Sequence, residues 1–242
     1  DWLAFNREKV ASWVNGVNRL VRTHDPQNRP TTSNLVVTSA LRDGTGHGSP
    51  DIWSQCHDLS VAGYSAYTFG TASQISSALG VVRGCSNDPA KGFWVLETEA
   101  GQVAGEGVPC EVADGARREA MHWLSVLHGA KTILLWKFGG RVTDSQTIHF
   151  NLTGWDGAIT DRARRNAQVA KTLQEHENLF LNTSYQAEAA ILCSTWDELY
   201  AQVVPPRHEE AHGVGGERED AQHQHPQPDG EAEARGPSML LQ

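Results

Sequence analysis

Two glutamates, Glu97 and Glu99, follow the short apolar run Phe93-Trp94-Val95-Leu96. A run that is apolar on both faces is typical of a parallel strand buried on both sides. In α/β barrels the catalytic groups stand where such strands meet the following loops. Glycoside cleavage uses carboxyl groups, one to protonate the leaving oxygen and one to attack the anomeric carbon or activate water. Glu97 is therefore a candidate catalytic residue, against the plainer interpretation of a strand-end Glu in a solvated loop.

Aromatic residues lie near the ends of the predicted strands, where they would suit a site that stacks on sugar faces. Taken singly, each fits equally well as a core or rim residue. They are Tyr64, Tyr67, Trp94, Trp136 and Phe138.

The hydrophobic pattern predicts alternating helices and strands. The predicted helices cover 3–22, 72–82, 116–127 and 160–178, and the predicted strands cover 30–38, 59–64, 93–97, 131–136 and a stretch from 187 to 192. Asp114 is expected to cap the helix that Gly129 ends. Alternation of this kind implies parallel strands with helical crossovers. The first four of these strands are half of a (β/α)8 barrel, so we expect either an open α/β sheet or the second half of a barrel.

Composition excludes some classes of partner. The chain has 242 residues and a net charge of −9, which argues against a nucleic-acid or anionic membrane surface. No apolar run reaches the length of a transmembrane helix, and no signal peptide is visible, which favours a cytoplasmic location. The four cysteines form no CxxC pair, so we expect isolated thiols and no four-thiolate zinc site.

Residues 203–242 differ in kind from the rest. They contain eight acidic residues, three Arg and no Lys, with Pro, Gly, Gln and His between them. Few apolar side chains are available to offset the entropy of ordering, so we expect disorder. The abrupt change in composition fits a natural tail or a reading-frame shift. The four histidines of this tail are expected to be solvated, and no metal is predicted there.

The stretch from Phe93 to Val103 resembles the nucleophile strand of glycoside hydrolase family 42 β-galactosidases, in which an aromatic-rich strand ends in Met-Glu and a Gly-Gln-Val turn follows. Further stretches resemble the family's last four barrel strands with their flanking segments and the start of its second domain, and they lie at 1–5, 30–34, 58–67, 128–138, 149–157 and 187–192. The resemblance implies the second half of a TIM barrel, about strands 5 to 8, over residues 1–183. It implies the start of a trimerisation-like α/β domain over 184–202.

Site residues are carried over from the family by position. The resemblance implies that Glu97 is the nucleophile, that Trp136 stands where the family has a substrate-contacting Phe, and that His149 contacts galactose. Gln146 stands where the family has a Glu that binds sugar hydroxyls, and the substitution loses the charge-assisted part of that hydrogen bond. Gly105 stands where the family often has a substrate-stacking Trp, and this difference together with Gln146 motivates an alternative in which the sugar differs.

The family's general acid/base is a Glu in an Asn-Glu pair that would lie upstream of Asp1. The resemblance therefore implies a fragment of a retaining β-galactosidase that is inactive alone, without metal or cofactor, and homotrimeric at full length. Two other interpretations stay open. One is a barrel glycosidase for a different sugar, and the other is a non-catalytic sugar-binding remnant.

Overall fold

The computed structural model describes residues 2–35, 51–67, 72–86, 88–101, 103–105, 108–111, 115–140, 143 and 149–192. The elements in chain order are α1 (Trp2–His24), β1 (Asn34–Leu35), α2 (Ile52–Cys56), β2 (Ala62–Ser65), α3 (Ala72–Gly84), a 3-10 turn (Pro89–Lys91), β3 (Phe93–Glu99), β4 (Val103–Gly105), β5 (Val108–Glu111), α4 (Gly115–Leu127), β6 (Ala130–Trp136), α5 (Asp161–Glu175) and α6 (Glu177–Asn182). Within these residues no helix is long and apolar enough to cross a membrane.

The main sheet has four strands in the order β1-β2-β3-β6, and every pair is parallel. Each connection between neighbours contains a helix, as parallel pairing requires. The predicted alternation and the parallel sheet are therefore confirmed. A small antiparallel hairpin, β4 with β5, was not predicted and leads from β3 toward α4.

The core is built around β3. Phe93 and Val95 are 0% and 1% exposed because β2 and β6 flank their strand. Leu79 and Val82 of α3 belong to the same buried cluster. Burying side chains of this size contributes roughly 1.5–3 kcal/mol each, so this cluster fixes the position of the strand that carries Glu97.

The first two strands approach closely at Gly63. A Cβ atom there would lie 2.3 Å from the backbone oxygen of Ser33 and 2.5 Å from a methyl carbon of Leu96. Gly63 is in register with Asn34 of β1 and Trp94 of β3. Only glycine fits, and the close approach brings Asn34 near the end of β3.

The segment after α6 is fastened to the N-terminal end of the sheet. Lys131, at the start of β6, donates from Nζ to the carbonyls of Phe180 at 2.6 Å and Thr183 at 2.5 Å. The Tyr185 ring lies under the Arg83 guanidinium at 3.6 Å and stacks beside the His128 ring at 6.2 Å. These contacts hold the chain as it leaves the last helix.

Two local predictions differ from the structure. The single helix predicted over 160–178 divides at His176, whose φ of −117° lies outside the helical region, although Thr160 caps its start as a helix N-cap should. Residues 187–192 form no strand, since the stretch is exposed and pairs with no described strand. Ile191 and Leu192 are 89% and 96% exposed.

Other predictions fall outside the described residues. They concern the capping role of Asp114, residues 36–38 of the first predicted strand, and the tail 203–242. The domain boundary near 184 stays a prediction. Gly129, in contrast, follows α4 with a φ of +99°, as the predicted helix stop requires.

A buried histidine makes the fold sensitive to acid. His122 of α4 is 5% exposed, and burial lowers its pKa to about 4, with Arg118 adding to the effect and Glu119 opposing it. The imidazole of His122 is therefore neutral in the folded protein at neutral pH.

We expect Gly63→Ala to destabilise the protein by about 1–3 kcal/mol, because the new methyl group collides with backbone as well as side-chain atoms. Gly80→Ala in α3 is the matched control, because its Cβ would meet nothing within 4 Å and alanine favours a helix. Urea unfolding followed by circular dichroism measures both. Equal stability of the two variants would contradict the close packing at Gly63.

We expect His122 to destabilise the fold in acid. Its folded pKa lies below the value of about 6.5 in an unfolded chain, so its stabilising contribution is complete above that pH and is lost as pH falls toward 4. The full loss is about 3 kcal/mol. The difference in urea midpoint between wild type and His122→Gln should change over this pH window. A constant difference would contradict the neutral buried state.

Candidate active site

Glu97 stands near the C-terminal end of β3, where the strand leaves the core. It pairs in register with Ser65 of β2, and its carbonyl accepts from the amide of Ala66 at 2.7 Å. The residue is half-buried, so its backbone is fixed while its carboxylate stays accessible. This is the edge at which parallel α/β folds place their reactive groups.

Two donors from neighbouring elements hold the Glu97 carboxylate. Asn34 of β1 donates from Nδ2 to Oε2 at 2.9 Å. The hydroxyl of Tyr67, two residues beyond β2, donates to Oε1. Because each oxygen has its own donor, the carboxylate is oriented and its negative charge is stabilised.

The Tyr67 hydroxyl keeps its proton. Burial raises the pKa of Tyr67 far above its ordinary value, and the hydrogen bond to Glu97 and the negative charges of Glu97 and Glu99 raise it further. A tyrosinate beside two carboxylates would be strongly disfavoured. Tyr67 therefore acts as a donor to Glu97 and not as a base.

A loop over residues 149–153 packs directly on the chain beyond β3. A Cβ on Gly101 would lie 2.3 Å from the carbonyl oxygen of Asn151, so glycine is required for this contact. Arg118 of α4 and Arg162 of α5 secure the same place, donating to the carbonyls of Gly101 at 2.5 Å and Asn151 at 2.6 Å. The loop is thus fixed relative to Glu97.

The loop brings His149 toward the site through Phe150. The Phe150 ring lies 5.7 Å from the ring of Tyr67 and 5.7 Å from that of His149. His149 is 9% exposed. The structure therefore brings Glu97, Tyr67 and His149 into one neighbourhood, linked by successive contacts.

Trp136 ends β6 at the same edge of the sheet. It is in register with Glu99, and its carbonyl accepts from the amide of Ala100 at 2.8 Å. Its peptide bond to Lys137 is cis.

Glu99 itself is 1% exposed. Gln146, the remaining predicted site residue, lies outside the described residues.

Sequence reasoning missed the roles of Asn34 and Tyr67. Tyr67 stood out only as an aromatic residue near a strand end, and Asn34 only as part of a resembling stretch. The sequence did hold a signal for them, because Asn34 lies on one parallel strand and Tyr67 follows another. The carboxyl ends of parallel strands meet at the same edge of a sheet.

Among the described residues, no group of three or more His, Cys, Asp or Glu side chains is arranged to hold a metal ion.

Comparison with known proteins decides the family. The sequence profile of glycoside hydrolase family 42, described as β-galactosidase, matches residues 1–176. The chain belongs to glycoside hydrolase family 42. No curated protein sequence matches it significantly.

Solved structures of β-galactosidases share its fold. A catalytic mutant of Gan42B, a family 42 β-galactosidase from G. stearothermophilus, is 18% identical with a TM-score of 0.68 over 84% of this chain and 30% of that one. The cold-adapted β-galactosidase from Rahnella sp. R3 is 16% identical, with a TM-score of 0.69 over 85% of this chain and 30% of that one.

The β-galactosidase from Bacillus circulans sp. alkalophilus is 20% identical, with a TM-score of 0.63 over 77% of this chain and 27% of that one. The family 42 chain described here thus spans less than a third of the length of each of these enzymes. The parallel sheet and its helices match part of the family's barrel, which confirms the predicted fold class.

We expect Glu97→Gln to lower the pKa of Tyr67, because the amide still accepts a hydrogen bond but removes one negative charge. The value should stay above that of an exposed tyrosine, since burial is the larger cause. Incorporating 3-fluorotyrosine brings the ionisation to milder pH, and ¹⁹F NMR follows it. The Tyr67→Phe variant assigns the resonance. An unchanged titration would contradict the contact between the two residues.

Proposed function

We propose that this chain forms part of the catalytic barrel of a retaining β-galactosidase, with Glu97 as its nucleophile. The observation that carries the proposal is the Glu97 carboxylate at the end of a buried parallel strand, with each oxygen held by a donor from a neighbouring element. In a member of family 42, this arrangement suits attack on an anomeric carbon.

In the first step a Glu97 oxygen bonds to the anomeric carbon while the bond from that carbon to the leaving oxygen breaks. A second carboxylic acid gives its proton to the leaving oxygen. Tyr67 and Asn34 hold the nucleophile in line, which lowers the entropic part of the barrier. The product is a glycosyl ester of Glu97.

In the second step the second carboxyl group, now ionised, removes a proton from water. The resulting oxygen bonds to the anomeric carbon, and the ester bond to Glu97 breaks. The acid regains its proton, and two inversions give net retention. Glu97 is free for the next turnover.

The second carboxyl group is not Glu99. At 1% exposure Glu99 is closed to substrate, and it shares a strand with the nucleophile instead of facing it across a bond. We place the acid/base in the part of the barrel that the solved relatives contain and this chain's match does not span. A retaining enzyme keeps the two carboxyl groups about 5–5.5 Å apart.

We assign substrate positioning to His149, Trp136 and Gln146. The packed loop that holds His149 supports its role as a fixed donor to a sugar hydroxyl. Trp136 supplies an aromatic surface at the edge of the sheet where Glu97 lies. We propose a terminal β-galactoside as the substrate class.

A mechanism-based label tests Glu97 as the nucleophile and does not need the acid/base carboxyl group. In 2,4-dinitrophenyl 2-deoxy-2-fluoro-β-galactoside the leaving group needs no protonation, and fluorine slows release of the covalent ester. We expect this chain to gain the mass of one fluorogalactosyl group, with peptide mapping placing it on Glu97.

The Glu97→Gln variant is the matched control and should remain unlabelled. The corresponding glucoside and mannoside should label more slowly, which distinguishes galactose from other sugars. Labelling elsewhere, or equal labelling of Glu97→Gln, would rule out Glu97 as the nucleophile. Faster labelling of Glu97 by another sugar would support Glu97 as the nucleophile and contradict galactose as the preferred sugar.

A further inference from the structure

Strand β3 contains one residue more than each of its neighbours, at the position of Leu96. Tyr64 and Ser65 are consecutive residues of β2, yet their partners on β3 are Val95 and Glu97. The register between β3 and β6 also shifts directly after Val95. An extra residue of this kind is a β-bulge, which bends the strand and changes the direction of its side chains.

The bulge decides which face of the sheet carries Glu97. In a regular strand side chains alternate, so Glu97 would share a face with Phe93 and Val95, which belong to the buried cluster. The extra residue instead places Glu97 opposite Ser65, whose neighbour Tyr64 belongs to that cluster. Glu97 therefore lies on the other face of the sheet, here called the site face.

The Leu96 side chain packs over Gly63. Gly63 lies on the site face, because its neighbours Ala62 and Tyr64 belong to the buried cluster. A Cβ atom on Gly63 would lie 2.5 Å from a terminal methyl carbon of Leu96, so leucine fills the space that glycine leaves open. Gly63 is in register with Asn34 of β1. The methyl group therefore lies between the end of β3 and Asn34.

The side chains of Glu97 and Asn34 meet across β2. Their hydrogen bond of 2.9 Å joins β3 to β1, although β2 lies between these two strands. Two strand spacings amount to roughly 10 Å, so both side chains must extend over β2. At that place Gly63 supplies no side chain and Leu96 supplies a methyl group. An apolar group beneath the carboxylate excludes water and strengthens the hydrogen bonds to it.

We propose that Leu96 is a positioning residue for Glu97. Its side chain, packed on Gly63, supports the carboxylate from below and keeps it within reach of its two donors. Any effect on the reaction is exerted through Glu97 and therefore rests on the proposed function. The support is a packing contact, however, and Tyr67 reports on it without any reaction.

The test compares Leu96→Ala, which removes the support but keeps the extra residue, with Leu96→Met, which restores a similar volume. Burial is the largest cause of the raised pKa of Tyr67, and the hydrogen bond to Glu97 is the next. Leu96→Ala weakens the second cause, so the pKa of Tyr67 should fall in the ¹⁹F titration. Labelling of Glu97 by the fluorogalactoside should slow by about tenfold. Leu96→Met should match the wild type in both measurements.

Val82→Ala is the matched control for a general loss of packing. Val82 belongs to the buried cluster and is 1% exposed. Its truncation should lower the urea midpoint at least as much as Leu96→Ala does, because it leaves a cavity in the core. The Tyr67 titration should stay as in the wild type, since the cluster lies on the face of the sheet opposite to Glu97.

Three results would overturn the proposal: a Tyr67 titration that Leu96→Ala leaves unchanged, an equal change in Val82→Ala, or a Leu96→Met variant that behaves like Leu96→Ala. Labelling of Leu96→Ala at the wild-type rate would also contradict it. If the titration changes as expected but the wild type takes up no label on Glu97, the support by Leu96 stands and the proposed function alone is refuted.

Discussion

Burial of β3 between two parallel neighbours is the constraint on which the rest of the structure depends. Phe93 and Val95 point to the same face of the sheet and are removed from water there, so the strand can neither shift nor rotate without exposing them. The backbone of Glu97 inherits that rigidity. Two donors then fix the orientation of the carboxylate, Asn34 of β1 and Tyr67 just beyond β2.

The elements with strong periodic patterns were predictable from the sequence. The apolar run at 93–96 identifies β3 because a run that is apolar on both faces is typical of a strand inside a parallel sheet. Helix α4 and its stop at Gly129 follow from spacing and from a glycine with positive φ. The division of α5 from α6 at His176 was not predictable, since the residues around it all tolerate a helix.

The partners of Glu97 show why the site was only half predictable. A strand-end glutamate is visible in one stretch of sequence. Its donors lie 30 and 63 residues earlier, and they meet it only through the register of three strands and the close approach at Gly63. Likewise, the spacing of apolar residues in α1 predicts a helix but does not reveal that the polar face packs inward, because that depends on what else is present to cover the apolar one.

The contacts made by Lys131, Arg83 and His128 fix the direction in which the polypeptide departs. They act at the start of β6, beside the beginning of β3, whereas Glu97 lies four residues further along that strand, about 13 Å away. A segment joined to the end of α6 therefore leaves the protein at the N-terminal edge of the sheet. Such an attachment can be exchanged or lengthened without reaching the opposite edge of the sheet, where Glu97 lies, so the attachment and the candidate site can diverge separately.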